Sequence, residues 1–364
     1  MADKENCGGV VTRAAKRRAE ELQPMNQKLT KKRAVLTELT NFSLDLGVSK
    51  AIQTKKPADA KKKQYTEPAS IPLPVHIEKD LNEESEDPRL CEFYASDIYS
   101  YLHAMENDAK KRPSPDYMET VQKDVTPNMR GILIDWLVEV ADEYRLLPDT
   151  LYLTVNCIDR FLSCVSLNRQ QLQLLGVTSM LIASKYEEIK PPNVEDFCYI
   201  TDNTYTKDEV LKMEFDILNT LKFEFGNPTV KTFLRRLTMV AQEDFKAMSL
   251  QLEFLGCYLA ELSLLDYRSV KLLPSLVAAS VIFLARYILR PKKHPWNLAL
   301  QAHTAYKPRE LKACVLALHN YYLNRQGEGF HAVKEKYRQH KFKAVAMAPS
   351  PPEIPNAFFD DIVR

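Results

Sequence analysis

The sequence predicts an all-α protein: two tandem five-helix domains, preceded by one N-terminal helix and a long disordered tail. Three observations carry this reading. Only 9 of 364 residues are Gly and 45% are hydrophobic, so turn punctuation is scarce and there is core material for two domains. The apolar residues recur at helical rather than alternating spacing. The pattern of residues 126–210 then returns with a constant offset of 101 residues, the mark of an internal repeat.

Residues 1–85 are poor in aromatics and rich in Lys, Thr, Ala and Glu. Such a segment buries too little apolar surface to offset its ordering entropy, so it is expected to be disordered. Order should begin near Asp87-Pro88. Residues 86–122 hold a helix whose stripe is Tyr94, Ile98, Tyr101 and Leu102. Thr126-Pro127 is a helix start, with an N-cap hydroxyl and Pro in the first turn. Leu133, Trp136, Leu137, Val140 and Tyr144 line one face of the helix that follows. A second helix runs from about Asp149 to Ser163. A third, Asn168 to about Glu187, is apolar nearly all round, with small Gly176, Ser179 and Ala183, as suits a central helix. A short helix covers about Val194 to Ile200. Thr206 and Glu209 form a capping box that opens a fifth helix carrying Val210, Met213, Ile217, Leu218 and Leu221.

The echo begins at Asn227-Pro228. Ser179-Met-Leu-Ile-Ala-Ser-Lys-Tyr186 returns as Ser280-Val-Ile-Phe-Leu-Ala-Arg-Tyr287, and Tyr205 and Glu209 return as Tyr306 and Glu310. The domains are therefore 123–226 and 227–342, with a tail at 343–364. The copies differ in charge: Lys185 matches Arg286, Glu214 matches Val315, Glu139 matches Val240 and Met129 matches Val230. Taken singly, such charges read as solvated or locally paired. As a group, Lys185, Glu187, Glu188 and Glu214 read as a partner surface held by the first copy alone.

Several classes of function find no support. There is no phosphate-binding glycine loop, no His-Glu-x-x-His and no Gly-x-Ser-x-Gly, so neither an enzyme nor a cofactor or metal is expected. Glu187 and Glu188 are adjacent on a helix and point apart, poor geometry for shared acid–base work. The 7 cysteines lack a Cys-x-x-Cys pair and read as buried thiols of a reducing compartment. No apolar run is long enough to span a membrane. The net charge of +2 averages a basic head and an acidic stretch, 78–87. A basic head admits nucleic-acid binding, a nuclear import signal or simple solvation.

Met129-Arg-Gly-Ile-Leu-Ile-Asp-Trp-Leu-Val-Glu-Val140 resembles the signature of the cyclin box. So do Asn156-Cys-Ile-Asp-Arg-Phe-Leu162, Ala183-Ser-Lys-Tyr-Glu-Glu-Ile189 with Pro191-Pro192, and Tyr199-Ile-Thr-Asp-Asn-Thr-Tyr-Thr206. The match spans roughly 90–340 and is most similar to the A and B group of cell-cycle cyclins, particularly a plant A type. It departs from the animal A-type pattern at Gly131, where Ala is usual; Gly there is expected to leave a notch beside Met129 and Leu133.

The resemblance implies a non-catalytic subunit that binds and activates a cyclin-dependent protein kinase. Carried over by motif, the kinase contacts are Lys185, Tyr186, Glu188, Glu214, Leu218, Phe223 and Phe225. A groove for substrates or inhibitors with an Arg-x-Leu motif is implied at Met129, Ile132, Leu133, Trp136, Glu139, Arg169, Leu172 and Gln173. Leu133, Trp136 and Leu137 read equally well as plain core; Leu137 and Val140 are expected inside, with Met129, Ile132 and Trp136 at the groove. In the head, Lys4-Glu5-Asn6 matches a KEN degron. Arg33, Leu36, Leu39 and Asn41 match a destruction box, read by a ubiquitin ligase. Lys16-Arg17-Arg18 and Lys31-Lys32-Arg33 resemble a nuclear import signal. Ser114-Pro115 and Ser350-Pro351 have the form of proline-directed phosphorylation sites, although such dipeptides are common. The competing reading is a nucleic-acid-binding module, since a general transcription factor shares the double five-helix fold. It predicts a basic stripe on the folded domains and salt-dependent binding.

Overall fold

The structure is a computed structural model that describes residues 94–242, 248–323 and 329–361. Among these residues there are helices and turns but no strand. Helix α1 (Ala95–Glu106) and the short α2 (Tyr117–Thr120) lead into a first set of five: α3 (Pro127–Glu143), α4 (Pro148–Cys164), α5 (Leu172–Glu187), α6 (Val194–Ile200) and α7 (Lys207–Thr220). A second set follows: α8 (Val230–Gln242), α9 (Ser249–Leu265), α10 (Pro274–Leu289), α11 (Leu298–Thr304) and α12 (Pro308–Tyr322). A last helix, α13 (Ala332–Arg338), precedes short 3-10 turns.

Helix α9 begins and ends 101 residues after α4, and α12 begins 101 residues after α7. The central helices α5 and α10 are buried along almost their whole length, α5 from Leu172 to Ser184 and α10 from Val277 to Ile288. That burial is why their sequences are apolar all round.

Local caps start several helices where the sequence places them. The Thr126 hydroxyl accepts the Met129 N–H at 3.3 Å. Thr206 and Glu209 cap each other across the start of α7. Three other helices have no capping side chain of their own and take a carboxylate from elsewhere in the fold. Glu188, past α5, accepts the Leu147 N–H at 2.7 Å and the Thr150 hydroxyl at 2.6 Å, closing the start of α4. Glu106, at the end of α1 and 2% exposed, accepts the Ser275 N–H at 3.0 Å and its hydroxyl at 2.7 Å, closing α10. Asp135 on α3 accepts the N–H groups of His331 and Ala332 at 2.8 and 3.1 Å, closing α13. Each satisfies orphan donors and places negative charge at a positive helix end.

A buried ion pair joins the two sets. Arg130 is 2% exposed and donates to both Asp159 oxygens at 2.6 and 2.7 Å, and to the Leu264 carbonyl of the second set at 2.8 Å. The Tyr117 hydroxyl donates to the same carboxylate at 2.8 Å. Further along, buried Glu261 on α9 holds the Lys336 ammonium and the Tyr337 hydroxyl of α13, both at 2.7 Å.

Four expectations change. The α1 stripe holds only in part: Leu102 packs against the core, but Tyr94, Ile98 and Tyr101 are exposed, and Tyr99 and Glu106 complete the packed side. Tyr99 and His103 meet Phe233 edge-on and tilted, which turns that side inward. The space above Gly131 is not an open notch. A methyl group there would lie 2.4 Å from Cζ of Phe330, so the C-terminal segment fills it. Residues 343–361 lie on the second domain, burying Val345, Ile354 and Phe359. Of the thiols within the described residues, Cys157, Cys198 and Cys314 are buried, but Cys164 is exposed. The expected onset of order near Asp87-Pro88 and the head with its motifs lie outside the described residues.

Candidate functional site

The C-terminal end of α5 and the outer side of α7 form one face of the first domain. Lys185 and Glu214 join them directly, ammonium to carboxylate at 2.6 Å, with the Lys side chain 46% exposed and the Glu 12%. Tyr186 is 58% exposed, and its hydroxyl would lie 2.7 Å from a methyl group at Gly226. Glycine at 226 therefore lets the tyrosine lie against the chain that leaves α7. That chain turns through Lys222 and Phe223, both at positive φ (54° and 59°). Non-glycine residues there cost on the order of 1–3 kcal/mol each. The turn leaves Phe223 68% exposed, with Phe225 half-buried beside it.

Two exposed residues of this face escaped the sequence reading. Phe215 is 68% exposed and Ile189 is fully exposed. For Phe215 a signal was present. Val210, Met213, Ile217 and Leu221 carry the buried stripe of α7. Leu211, Phe215 and Leu218, at i, i+4 and i+7, make a second apolar stripe on what should be the polar side. Apolar surface spent outward on a helix that already has its core stripe points to a partner.

Glu188, also expected as a kinase contact, has its carboxylate engaged as the cap of α4. Glu187 is half-buried, and burial beside Asp149 raises its pKa. Lys185 and Glu214 are paired with each other, so any partner they hold meets a preformed ion pair with spare hydrogen-bonding capacity.

The residues expected in a docking groove divide by burial. Met129, Ile132, Trp136 and Glu139 are half-buried along one side of α3, and Gln173 is half-buried on α5. Leu133 and Leu172 are core: 0% and 1% exposed. Leu133 packs into Gly176 of α5, where a methyl group would meet it at 2.7 Å, so it can only support a groove from beneath. Leu137 and Val140 are buried as well. Arg169 is committed to Asp124, donating from Nε at 2.7 Å and from its backbone N–H at 2.9 Å. Burial, and then the charge of Asp135, push the Glu139 carboxyl up to about 7.

No group of His, Cys, Asp and Glu suited to a metal ion occurs among the described residues. No described helix is long and apolar enough to cross a membrane.

Comparison with known proteins adds relatives to this geometry. The family model for the cyclin N-terminal domain matches residues 97–226, and that for the cyclin C-terminal domain matches residues 228–351. The chain is 56% identical to putative cyclin-A3-1 of Arabidopsis thaliana, over 100% of this chain and 99% of that one. It is 55% identical to cyclin-A3-1 of rice (Oryza sativa subsp. japonica) over 100% of both. It is 51% identical to G2/mitotic-specific cyclin C13-1 of carrot (Daucus carota) over 92% of this chain and 97% of that one. The X-ray structure of a viral cyclin from herpesvirus saimiri superposes with a TM-score of 0.53 at 23% identity, covering 62% of this chain and 99% of that one, which shows a shared fold.

Proposed function

The chain belongs to the cyclin family and resembles the plant A-type cyclins; on that premise we propose that it is a regulatory subunit, not an enzyme, that binds and activates a cyclin-dependent protein kinase. The observation that carries this is the first-domain face: the Lys185–Glu214 pair set among Tyr186, Ile189, Phe215 and Phe223, all exposed. Among the described residues, Arg286, Tyr287 and Val315, which match Lys185, Tyr186 and Glu214, are buried, so the pair and its tyrosine have no exposed counterpart in the second domain.

The physical logic is a population shift. An active kinase needs its regulatory helix turned inward, so that a Glu on it pairs with the ATP-orienting Lys. A partner that binds only that arrangement moves the equilibrium toward it. Converting a 1:99 mixture to 99:1 takes about 5.5 kcal/mol of preferential binding. Burying four large apolar side chains is worth roughly 6–12 kcal/mol before the costs of association. The face is thus of the right size, and the ion pair would orient the partner by hydrogen bonds to its backbone.

The same proposal includes docking of Arg-x-Leu segments along α3, with Met129, Ile132 and Trp136 supplying apolar contact and Glu139 meeting the cation. It also includes nuclear import through the basic runs and timed removal through Lys4-Glu5-Asn6 and the Arg33, Leu36, Leu39 and Asn41 motif. These rest on the sequence motifs, which lie outside the described residues. The test is to purify the chain with a cyclin-dependent kinase. A stable complex and a gain in histone phosphorylation are expected; no complex and no gain would overturn the proposal.

A further inference from the structure

The second domain's copy of the partner face is occupied by the chain itself. Residues 350–361 form a strap across α10 and α12. The Tyr287 hydroxyl donates to the Glu353 carbonyl at 2.7 Å, and its ring meets Phe358 edge-on at 6.0 Å. Phe359 stacks on Phe283 at 5.2 Å and is 4% exposed. The strap begins at Ser350, whose Oγ lies 2.9 Å from Nε2 of His319 and donates to the Pro351 carbonyl at 3.2 Å. By the 101-residue offset, Tyr287 and His319 correspond to Tyr186 and Leu218 of the first domain. Naming that face a partner face rests on the function proposed above; the geometry of the strap does not.

Ser350 is thus a fastener with a reactive end. It is half-exposed, while its partner His319 is 2% exposed. Pro351 has no N–H and holds Ser350 toward extended backbone, the form that a kinase selective for Ser-Pro accepts in its cleft. We propose that Ser350 is a phosphorylation site for a proline-directed protein kinase and that its phosphorylation lifts the 350–361 strap from the second domain. In that transfer the Oγ–H bond breaks and an Oγ–P bond forms. The terminal P–O bond of a nucleoside triphosphate breaks and releases the diphosphate, and the proton passes to the kinase's catalytic carboxylate. The ester loses the donor that Pro351 accepts. It also sets about −1.5 to −2 charges against a buried imidazole in an aromatic pocket, a placement that costs desolvation. Lifting the strap would uncover Tyr287 and Phe283, the rings that Phe358 and Phe359 meet.

The test uses the full chain, ATP and a proline-directed kinase that is active without a partner subunit. Mass spectrometry reads the site and amide hydrogen exchange reads the strap. Ser350 should be modified, and exchange in residues 353–361 and around Tyr287 and His319 should rise on the order of tenfold, as loss of a buried charged or hydrogen-bonded contact produces. Ser350→Ala should keep the starting rates under the same treatment. Modification of Ser114 without Ser350 would overturn the proposal, and so would phosphorylated Ser350 with the strap amides as protected as before. Because this kinase needs no activator, the result is independent of whether the first domain binds a cyclin-dependent kinase.

Discussion

Arg130→Met probes how the two domains are held as one unit. Arg130 supplies Asp159 with two charge-assisted hydrogen bonds, at 2.6 and 2.7 Å, and Leu264 with one at 2.8 Å. Both charged residues are at most 5% exposed. Methionine fills similar volume but leaves the carboxylate without its cation, holding the hydrogen bond from the neutral Tyr117 hydroxyl. Breaking a buried pair from one side costs about 3–5 kcal/mol, and the stranded carbonyl adds about 1 kcal/mol. At ~2–4 °C per kcal/mol for a chain of this size, the melting temperature should fall by roughly 8–24 °C. Thermal melts followed by far-ultraviolet circular dichroism measure it. Replacing both partners removes the uncompensated charge, so Arg130→Met with Asp159→Leu should recover much of the loss. A single variant that melts within about 2 °C of the parent, or a double variant worse than both singles added, would refute the reasoning.

Two further outcomes follow from the groove. Glu139 is raised in the fold from 4.5 to about 7, so the folded state holds a proton there that the unfolded state has lost. Its contribution to stability is therefore largest at low pH and is lost as pH rises from about 4.5 to 7. Glu139→Gln should flatten that slope in denaturant titrations taken across the range and should be more stable than the parent at the alkaline end; an unchanged slope would contradict the assignment. Gly131→Ala should bring no gain from its helix propensity of about 1 kcal/mol, because the new methyl meets Phe330. In a Phe330→Ala background the same change should stabilise by about that amount, and equal effects in both backgrounds would show that the ring does not fill the notch.

What was legible in the sequence was what the chain does locally. The hydroxyls of Thr126 and Thr206 act on their own helices, and the 101-residue echo is strict because α4 and α9 fill the same slot in two similar cores. What was not legible depends on distant partners. Glu188 reads as a surface charge at the end of an apolar helix, yet its carboxylate serves a helix that starts 40 residues earlier in the chain. Asp135 reads as part of a motif and caps α13, nearly 200 residues away. Leu133 and Trp136 sit on one helix face by spacing, but only the packing of Leu133 on Gly176 separates core from groove. The α1 stripe held only at Leu102 for a related reason: the helix is held mainly by Glu106 and by edge contacts to Phe233, not by Tyr94, Ile98 and Tyr101.

The central claim is that the first-domain face built on Lys185 and Glu214 holds the kinase. Exchanging the two charges, Lys185→Glu with Glu214→Lys, tests it most directly. The swap keeps an ion pair across α5 and α7, whose lysine end is exposed and whose glutamate end is largely covered, so a thermal melt first establishes that the variant is folded. A kinase that reads the orientation of the pair should bind at least about thirtyfold more weakly, the lower end of what a buried charged contact is worth, and should be activated less. A swapped protein that is fully folded and binds and activates the kinase like the parent would contradict the account.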